Sequence, residues 1–237
     1  MARGYPAFYP SVGRTAEGTF LPEVAEPPVW LHDDFNNNTS KWDLIFGTVT
    51  IQTEITITGT VYAPFDGSGL LYLLSELAGD GLASRSIGTF PQTSNCGFSC
   101  SILYHNDTLY KDQANSLTMI DCNYYTGTRH RHFGIAYNPA TEEWSYLASD
   151  GATWTVFKTL GISKTFWHYC KLIIDPVTAE YKSFQVDNTV TSLSDISFYD
   201  VVSVLGVAFV ISVRNIGAAA KQAPLLIDDY KITYGET

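Results

Sequence analysis

The sequence predicts an all-β protein, and three observations carry that prediction. Charged residues make up 16% of the 237-residue chain while aromatics reach 14%, so the Lys, Glu and Arg that usually fill helix surfaces are scarce. Short runs rich in Trp, Tyr, Phe, Val, Ile and Thr recur, residue types that suit a pleated, half-buried surface. Turn chemistry separates the runs: Asn138-Pro139-Ala140-Thr141, Ser149-Asp150-Gly151, Asp175-Pro176 and Asp187-Asn188 each supply a turn-initiating side chain, a fixed φ or tolerance of positive φ. Between residues 132 and 188 these features are densest, and that stretch reads as a β-meander. The length suits a single large sandwich-type domain.

In chain order, residues 1–29 stand apart as an extended N-terminal arm, with 30–237 forming the domain. Pro6, Pro10, Pro22, Pro27 and Pro28 punctuate the arm, removing backbone donors and favouring extended backbone. Tyr5, Phe8, Tyr9, Phe20 and Leu21 are embedded in it, whereas a flexible linker would carry Gly and Ser. Either the arm wraps over its own domain, or those aromatics anchor it on a neighbouring subunit. From Trp30 a short strand leads through an Asn-rich turn to Trp42. Strict alternation of Val49, Ile51, Thr53, Ile55 and Ile57 with polar residues then predicts two antiparallel strands or one long bent strand. Residues 64–70 read as a turn, 70–77 as a buried strand by context, and 79–95 as a Gly/Ser-rich connection. Strands follow at FSCSILYH, around 117–125 and through the meander, with a turn at Asn106-Asp107. The segment 189–201 reads as looser chain, LGVAFVISV as a buried strand, 215–223 as a small-residue loop and LLIDDYKITY as the final strand.

Composition also excludes partners. A formal net charge of -10 opposes a polyanion, because neutralising phosphates needs a cationic surface. Cys96, Cys100, Cys122 and Cys170 are too few for a disulfide framework in a chain this long. Cys96 and Cys100 lack the second pair a zinc site would use, and a Cys96–Cys100 or Cys96–Cys122 bridge stays open. Cys170 reads as a small buried hydrophobe. The N-terminus shows no apolar segment before a small-residue cleavage site, and the apolar run 201–213 is interrupted by Ser203, Gly206 and Ser212. The expectation is a soluble chain made without export or membrane insertion.

The order DDF, then GIAYNPATEEWSYLASDGATWTVF, a Trp-bearing strand ending LIIDP, YKSFQVDN and finally LLIDDYKITY resembles the concanavalin A-like lectin/glucanase (laminin-G-like) jelly roll over roughly residues 31–235. That resemblance implies a two-sheet antiparallel β-sandwich, with DDF and IDD where the first and last strands would pair at a sheet edge. It speaks to fold more than to activity, since such domains include lectins, polysaccharide hydrolases and lyases, adhesion modules and virion proteins.

Four constellations could carry chemistry. Glycoside hydrolysis needs two carboxylates across the scissile bond, which hydrolases resembling this fold often present as E-x-D-x-x-E. No E-x-D occurs, and Glu142-Glu143 and Asp228-Asp229 are adjacent, so in a strand each pair points to opposite faces; a non-enzymatic protein is expected. In Thr128-Arg129-His130-Arg131-His132 an extended strand puts His130 and His132 on one face and the arginines on the other. Trp144 and Tyr146, two apart, form a candidate sugar platform with Tyr124 and Tyr125, while Trp154 and Trp167 are assigned to the core. Asp33, Asp34, Asp228 and Asp229 supply hard oxygens for a possible structural Ca2+, against turn capping or Lys pairing.

A surface-recognition fold without an export signal is reconciled by a virion protein, which leaves the cell on an assembled particle. The leading expectation is a non-catalytic structural or decoration protein on the exterior of a capsid or tail. It would be anchored by its arm to other protein subunits and would have carbohydrate binding as a further property. A lectin-like carbohydrate-binding module is the first alternative and a polysaccharide hydrolase or lyase the second.

Overall fold

The computed structural model describes residues 26–35, 41–52, 55–57, 60–65, 67, 69–75, 80–88, 90, 94–104, 117–163, 166–216 and 224–236. The arm residues Tyr5, Phe8, Tyr9, Phe20 and Leu21, the Asn-rich turn after Phe35, the Asn106-Asp107 turn and most of the 215–223 loop lie outside them.

All regular structure among the described residues is β. In chain order the strands are β1 (Val29–Asp33), β2 (Asp43–Phe46), β3 (Thr48–Gln52), β4 (Ile55–Ile57), β5 (Thr60–Tyr62), β6 (Leu70–Leu74) and β7 (Asp80–Ile87). Then come β8 (Cys96–Tyr104), β9 (Leu117–Tyr125), β10 (Arg129–Asn138), β11 (Glu143–Leu147) and β12 (Trp154–Thr159). The remainder are β13 (His168–Asp175), β14 (Glu180–Val186), β15 (Thr189–Ser197), β16 (Tyr199–Val202), β17 (Ala208–Ile216) and β18 (Pro224–Tyr234).

Two antiparallel sheets pack as a sandwich. The terminal sheet runs β15-β14-β13-β8-β18-β6-β3, with β1 beside the second half of β18. The opposing sheet runs β12-β11-β10-β9-β17-β7-β2, with β16 beside the first half of β10. The first and last strands do pair, with Asp33 opposite Tyr230, one residue beyond the IDD triplet; β18 itself lies inside the sheet and β1 forms its local edge. Two segments depart from the sequence reading. The 79–95 connection contains β7, and the looser 189–201 segment contains β15 and β16. β7 and β15 themselves are rich in small polar residues and carry no aromatic side chain, and β15 is an edge strand. The alternation at 48–57 resolves into β3 in the terminal sheet and β4 in a separate β4–β5 hairpin.

Period-2 burial builds the core. In β13, His168, Cys170, Leu172 and Ile174 point inward and are buried, the residues between them only partly so. In β10, Phe133, Ile135 and Tyr137 do the same. Large rings fill the gap between sheets: Phe90 stacks on Phe209 at 4.6 Å and 9°, and Trp144 lies 4.6 Å from Tyr137 and 4.9 Å from Phe184. Buried polar ties cross the sandwich. Arg85 Nη1 of β7 donates to Asp33 Oδ2 of β1 at 2.7 Å, and the Trp42 indole N–H donates to the same oxygen at 3.1 Å. Tyr181 of β14 donates its hydroxyl to the Leu147 carbonyl at 2.9 Å and accepts from the Gly134 amide at 3.1 Å. The four cysteines are buried free thiols, with Cys100 directly opposite Cys170. Burial pushes the Cys96 thiol up to about 12, chiefly by desolvation.

The sheets differ on their outer faces. On the terminal sheet Leu70, Leu103 and Leu226 form a buried apolar cluster with Ile55 of the β4–β5 hairpin, Tyr72 and Trp167. Farther along, Glu236 folds over Gly97, where an added Cβ would come within 2.4 Å of its carboxylate, and it accepts from Lys171 at 2.8 Å.

Candidate functional site

The outer face of the β10 sheet carries a platform of rings and polar groups. In β9, Ile120, Cys122 and Tyr124 point into the core, so Asp121, Asn123 and Tyr125 point out. Antiparallel pairing sets Tyr125 opposite His130, Asn123 opposite His132 and Asp121 opposite Gly134. Across β10, β16 sets Tyr199 opposite His132. The Tyr125 and His130 rings stack at 4.3 Å and 10°, and His130 and His132 lie 6.3 Å apart at 13°. Tyr199 meets His130 edge-on at 5.3 Å. Three nearly parallel rings thus form a ladder with a fourth standing against it.

Polar bonds hold the ladder. The His132 Nε2 lies 2.6 Å from Asp121 Oδ1, and the His130 Nε2 lies 2.9 Å from Asn123 Oδ1. Each imidazole is oriented through Nε2 by a residue two positions from the next on β9. Burial, with the neighbouring His132, holds His130 below the ordinary histidine range. Among the described residues no hydrogen bond occupies either Nδ1, Asp121 Oδ2 or Asn123 Nδ2.

One wall of the site is Trp154, 38% exposed at the start of β12. A Cβ built on Gly134 would sit 3.1 Å from its indole and 2.8 Å from the Ile120 carbonyl. The bare backbone at Gly134 therefore lets the indole lie close over the strand. The β11–β12 turn backs Tyr199: Gly151, at φ 71°, would bring a Cβ within 2.7 Å of the Tyr199 ring. Asp150 fixes that turn by accepting from the amides of Ala152 and Thr153 at 2.9 and 2.8 Å. Those bonds, with the Thr153 hydroxyl first among them, hold the Asp150 carboxyl down at about 2.

The geometry revises the predicted site residue by residue. His130 and His132 share one face and the arginines the other. Arg131 is buried and donates to the Pro176 carbonyl, and both Arg129 (2.5 Å) and Arg131 (3.3 Å) pair with Asp200. The two arginines hold β16 and the sheet interior together and take no part in the platform. Tyr125 is on the platform; Tyr124 is in the core. Trp144 is fully buried, its indole N–H donating to the Leu160 carbonyl at 2.9 Å, and Tyr146 packs inward against Tyr181 and Phe157. Their shared face is the interior one, so neither forms a sugar platform. Trp154, assigned to the core from the sequence, is on the surface. Trp167 lies half-buried on the outside of the terminal sheet, donating to the Ala63 carbonyl at 3.1 Å.

The four aspartates at the paired termini do not converge. Asp33 is occupied by Arg85 and Trp42, and Asp229 by His32 at 2.6 Å and Lys231 at 2.7 Å. Asp228 is fully buried and accepts from the Asp229 amide. Asp34 has a polar partner of its own, and no group of three or more His, Cys, Asp or Glu side chains is placed to hold a metal among the described residues. Asp229 sits at φ 53° beside a register shift in β18, with its carboxylate against His32 and Lys231.

Asp121, Asn123, Trp154 and Tyr199 were missed as site residues. The first two were legible, because they share parity with Tyr125 in IDCNYY. Trp154 and Tyr199 were not, since each lies at or near a sheet margin where either face is open.

No family model and no curated protein matches the chain in sequence. Solved structures do match in fold. The carbohydrate esterase of the Shiga toxin-encoding bacteriophage phi24B superposes with a TM-score of 0.56 at 13% identity, covering 89% of this chain and 100% of that one. The carbohydrate recognition domain of Emp46p, in its potassium-bound form, gives 0.53 at 12%, covering 86% and 96%. That of Emp47p gives 0.52 at 10%, covering 86% and 94%. The chain is an all-β two-sheet sandwich of the kind found in these carbohydrate-recognition and esterase structures.

Proposed function

We propose that this chain is a non-catalytic carbohydrate-binding β-sandwich, of the concanavalin A-like jelly-roll kind, whose sugar site is the outer face of the β10 sheet. The observation that carries the reading is the Tyr125–His130–His132 ladder walled by Trp154 and Tyr199, with Asp121 and Asn123 beside it. A pyranose presents an apolar face to a ring and a rim of hydroxyls to polar neighbours; exposed Trp154 offers the first, and the imidazoles with Asp121 and Asn123 the second. The carbohydrate-recognition folds it superposes on support the same reading.

The decoration role is part of the proposal. The chain would sit on the exterior of a phage-like particle, held to other subunits by Tyr5, Phe8, Tyr9, Phe20 and Leu21 of the 1–29 arm, and would present the platform outward. Two measurements test the two halves. Glycan-array binding followed by calorimetry should show a ligand whose affinity falls about tenfold or more in Trp154→Ala, the loss of one buried aromatic anchor; an unchanged affinity would place the site elsewhere. Deleting residues 1–25 should abolish incorporation into the particle or oligomer while leaving glycan affinity intact. The His132–Asp121 pair has the form of a base and its orienting carboxylate, yet no serine hydroxyl bonds to it among the described residues. Release of acetate or reducing sugar from any polysaccharide would overturn the non-catalytic reading.

A further inference from the structure

We propose that the histidine pair makes this platform a polarity-inverting reader, taking carboxylate-bearing glycans in mildly acidic solution and excluding them at neutral pH. The inference rests on the platform being a glycan site and adds the ligand class and its control.

The argument begins with which nitrogens are occupied. His132 Nε2 faces Asp121 Oδ1 at 2.6 Å, and an ionised carboxylate only accepts, so Nε2 carries the hydrogen. In the neutral ring Nδ1 is then a bare acceptor. With the Asn123 Oδ1 turned to it at 2.9 Å, His130 Nε2 carries its hydrogen in the same way. The neutral pair thus presents two acceptors, suited to sugar hydroxyls, beside the carboxylate of Asp121. Imidazole is the side chain whose charge ordinarily changes between about pH 5 and 8. A proton added to each ring can go only to Nδ1, converting both acceptors to charged donors while the Nε2 bonds persist.

Charge follows polarity. Asp121 with two neutral rings has a formal charge of one negative; with both rings protonated it is one positive. Burial and the nearness of His132 disfavour the charged form of His130, so its inversion needs more acid than a free imidazole would; the other groups facing the pair are few. From β9 come Asp121 and Tyr125, with Asn123 neutral; from β16 comes Tyr199; from the β11–β12 turn behind Tyr199 comes Asp150. From β17, Val210 and Ser212 lie opposite Asn123 and Asp121 and carry no charge. Arg129, Arg131 and Asp200 pair with one another on the opposite side of β10. At neutral pH the Asp121 carboxylate repels an anionic sugar within a Debye length of about 8 Å.

The test uses uronate oligosaccharides and their carboxyl-reduced counterparts, matched in linkage, titrated calorimetrically at about pH 5 and pH 7.5 in physiological salt. A uronate should bind at least about tenfold tighter at the acidic pH, the worth of one charge-assisted hydrogen bond, and its reduced counterpart should show no such gain. The double variant His130→Gln/His132→Gln should lose the acidic gain. Asp121→Asn, which keeps an acceptor for Nε2 and removes the charge, should extend uronate binding toward neutral pH; this second variant serves if the double variant fails to fold. Uronate affinity independent of pH, or an acidic gain surviving the double variant, overturns the inference and leaves the platform standing. Absence of binding by every probe at both pH values overturns the platform and the inference together.

Discussion

Two tryptophans ten residues apart, Trp144 and Trp154, show how much the facing of one side chain decides. Trp144 is enclosed by Tyr137 and Phe184 and spends its N–H on the Leu160 carbonyl, so it holds the two sheets together. Trp154 lies over the bare backbone of Gly134, so it is free to meet a ligand. Replacing Trp144 by Ala should cost about 3–5 kcal/mol in urea unfolding, the range for emptying an aromatic core site, whereas Trp154→Ala should leave the unfolding midpoint nearly unmoved while weakening sugar binding. The reverse pattern would mean that the two rings have exchanged roles in solution.

At the scale of the element, the β11–β12 hairpin is the support of the site. Its turn closes through Gly151 N to the Ala148 carbonyl at 3.0 Å and Ala148 N to the Thr153 carbonyl at 2.8 Å, and Asp150 satisfies two further amides. The carboxyl is held down by those bonds to about 2. A carboxyl lowered in the folded state stabilises above its unfolded value, and that contribution is lost as pH falls through its folded one. An NMR titration should therefore give Asp150 a midpoint near 2, returning toward the ordinary aspartate range if Thr153 is replaced by Val. A normal Asp150 midpoint in the native protein would mean that the turn is not built this way. The same hairpin carries Tyr199's support at Gly151, where a side chain would meet both the positive φ and the ring.

Across the whole molecule the sheets are joined by aromatic packing and by a few buried polar ties. Arg85 and Asp33 are about a tenth exposed and lie 2.7 Å apart between opposing sheets. Breaking a buried pair from one side leaves an uncompensated charge. Asp33→Asn should accordingly destabilise by about 3–5 kcal/mol in chemical denaturation, although Asn keeps the shape and an acceptor for Trp42; a loss under 1 kcal/mol would show the pair to be solvated. Tyr181 links the terminal sheet to Gly134 and Leu147 directly beneath the platform, so core and platform share a brace.

Much of the fold was legible in local pattern. Alternation in β10 and β13, Asp- and Asn-led turns and scarce helix formers determined an all-β chain, because strand periodicity and turn chemistry are properties of neighbours in sequence. The pairing of the first strand with the last was legible too, through resemblance. Small-residue strands such as β7 and β15 were not, since their stability comes from partners far along the chain. The site divides the same way. The shared face of His130 and His132 follows from spacing alone, as does the outward parity of Asp121, Asn123 and Tyr125. Whether a shared face looks inward or outward does not follow from spacing, and for Trp144 and Tyr146 the second sheet lies on the side that the sequence had offered to a sugar. Period-2 alternation states which side chains stand together; only the packing of one sheet on the other states which of those companies is left facing water.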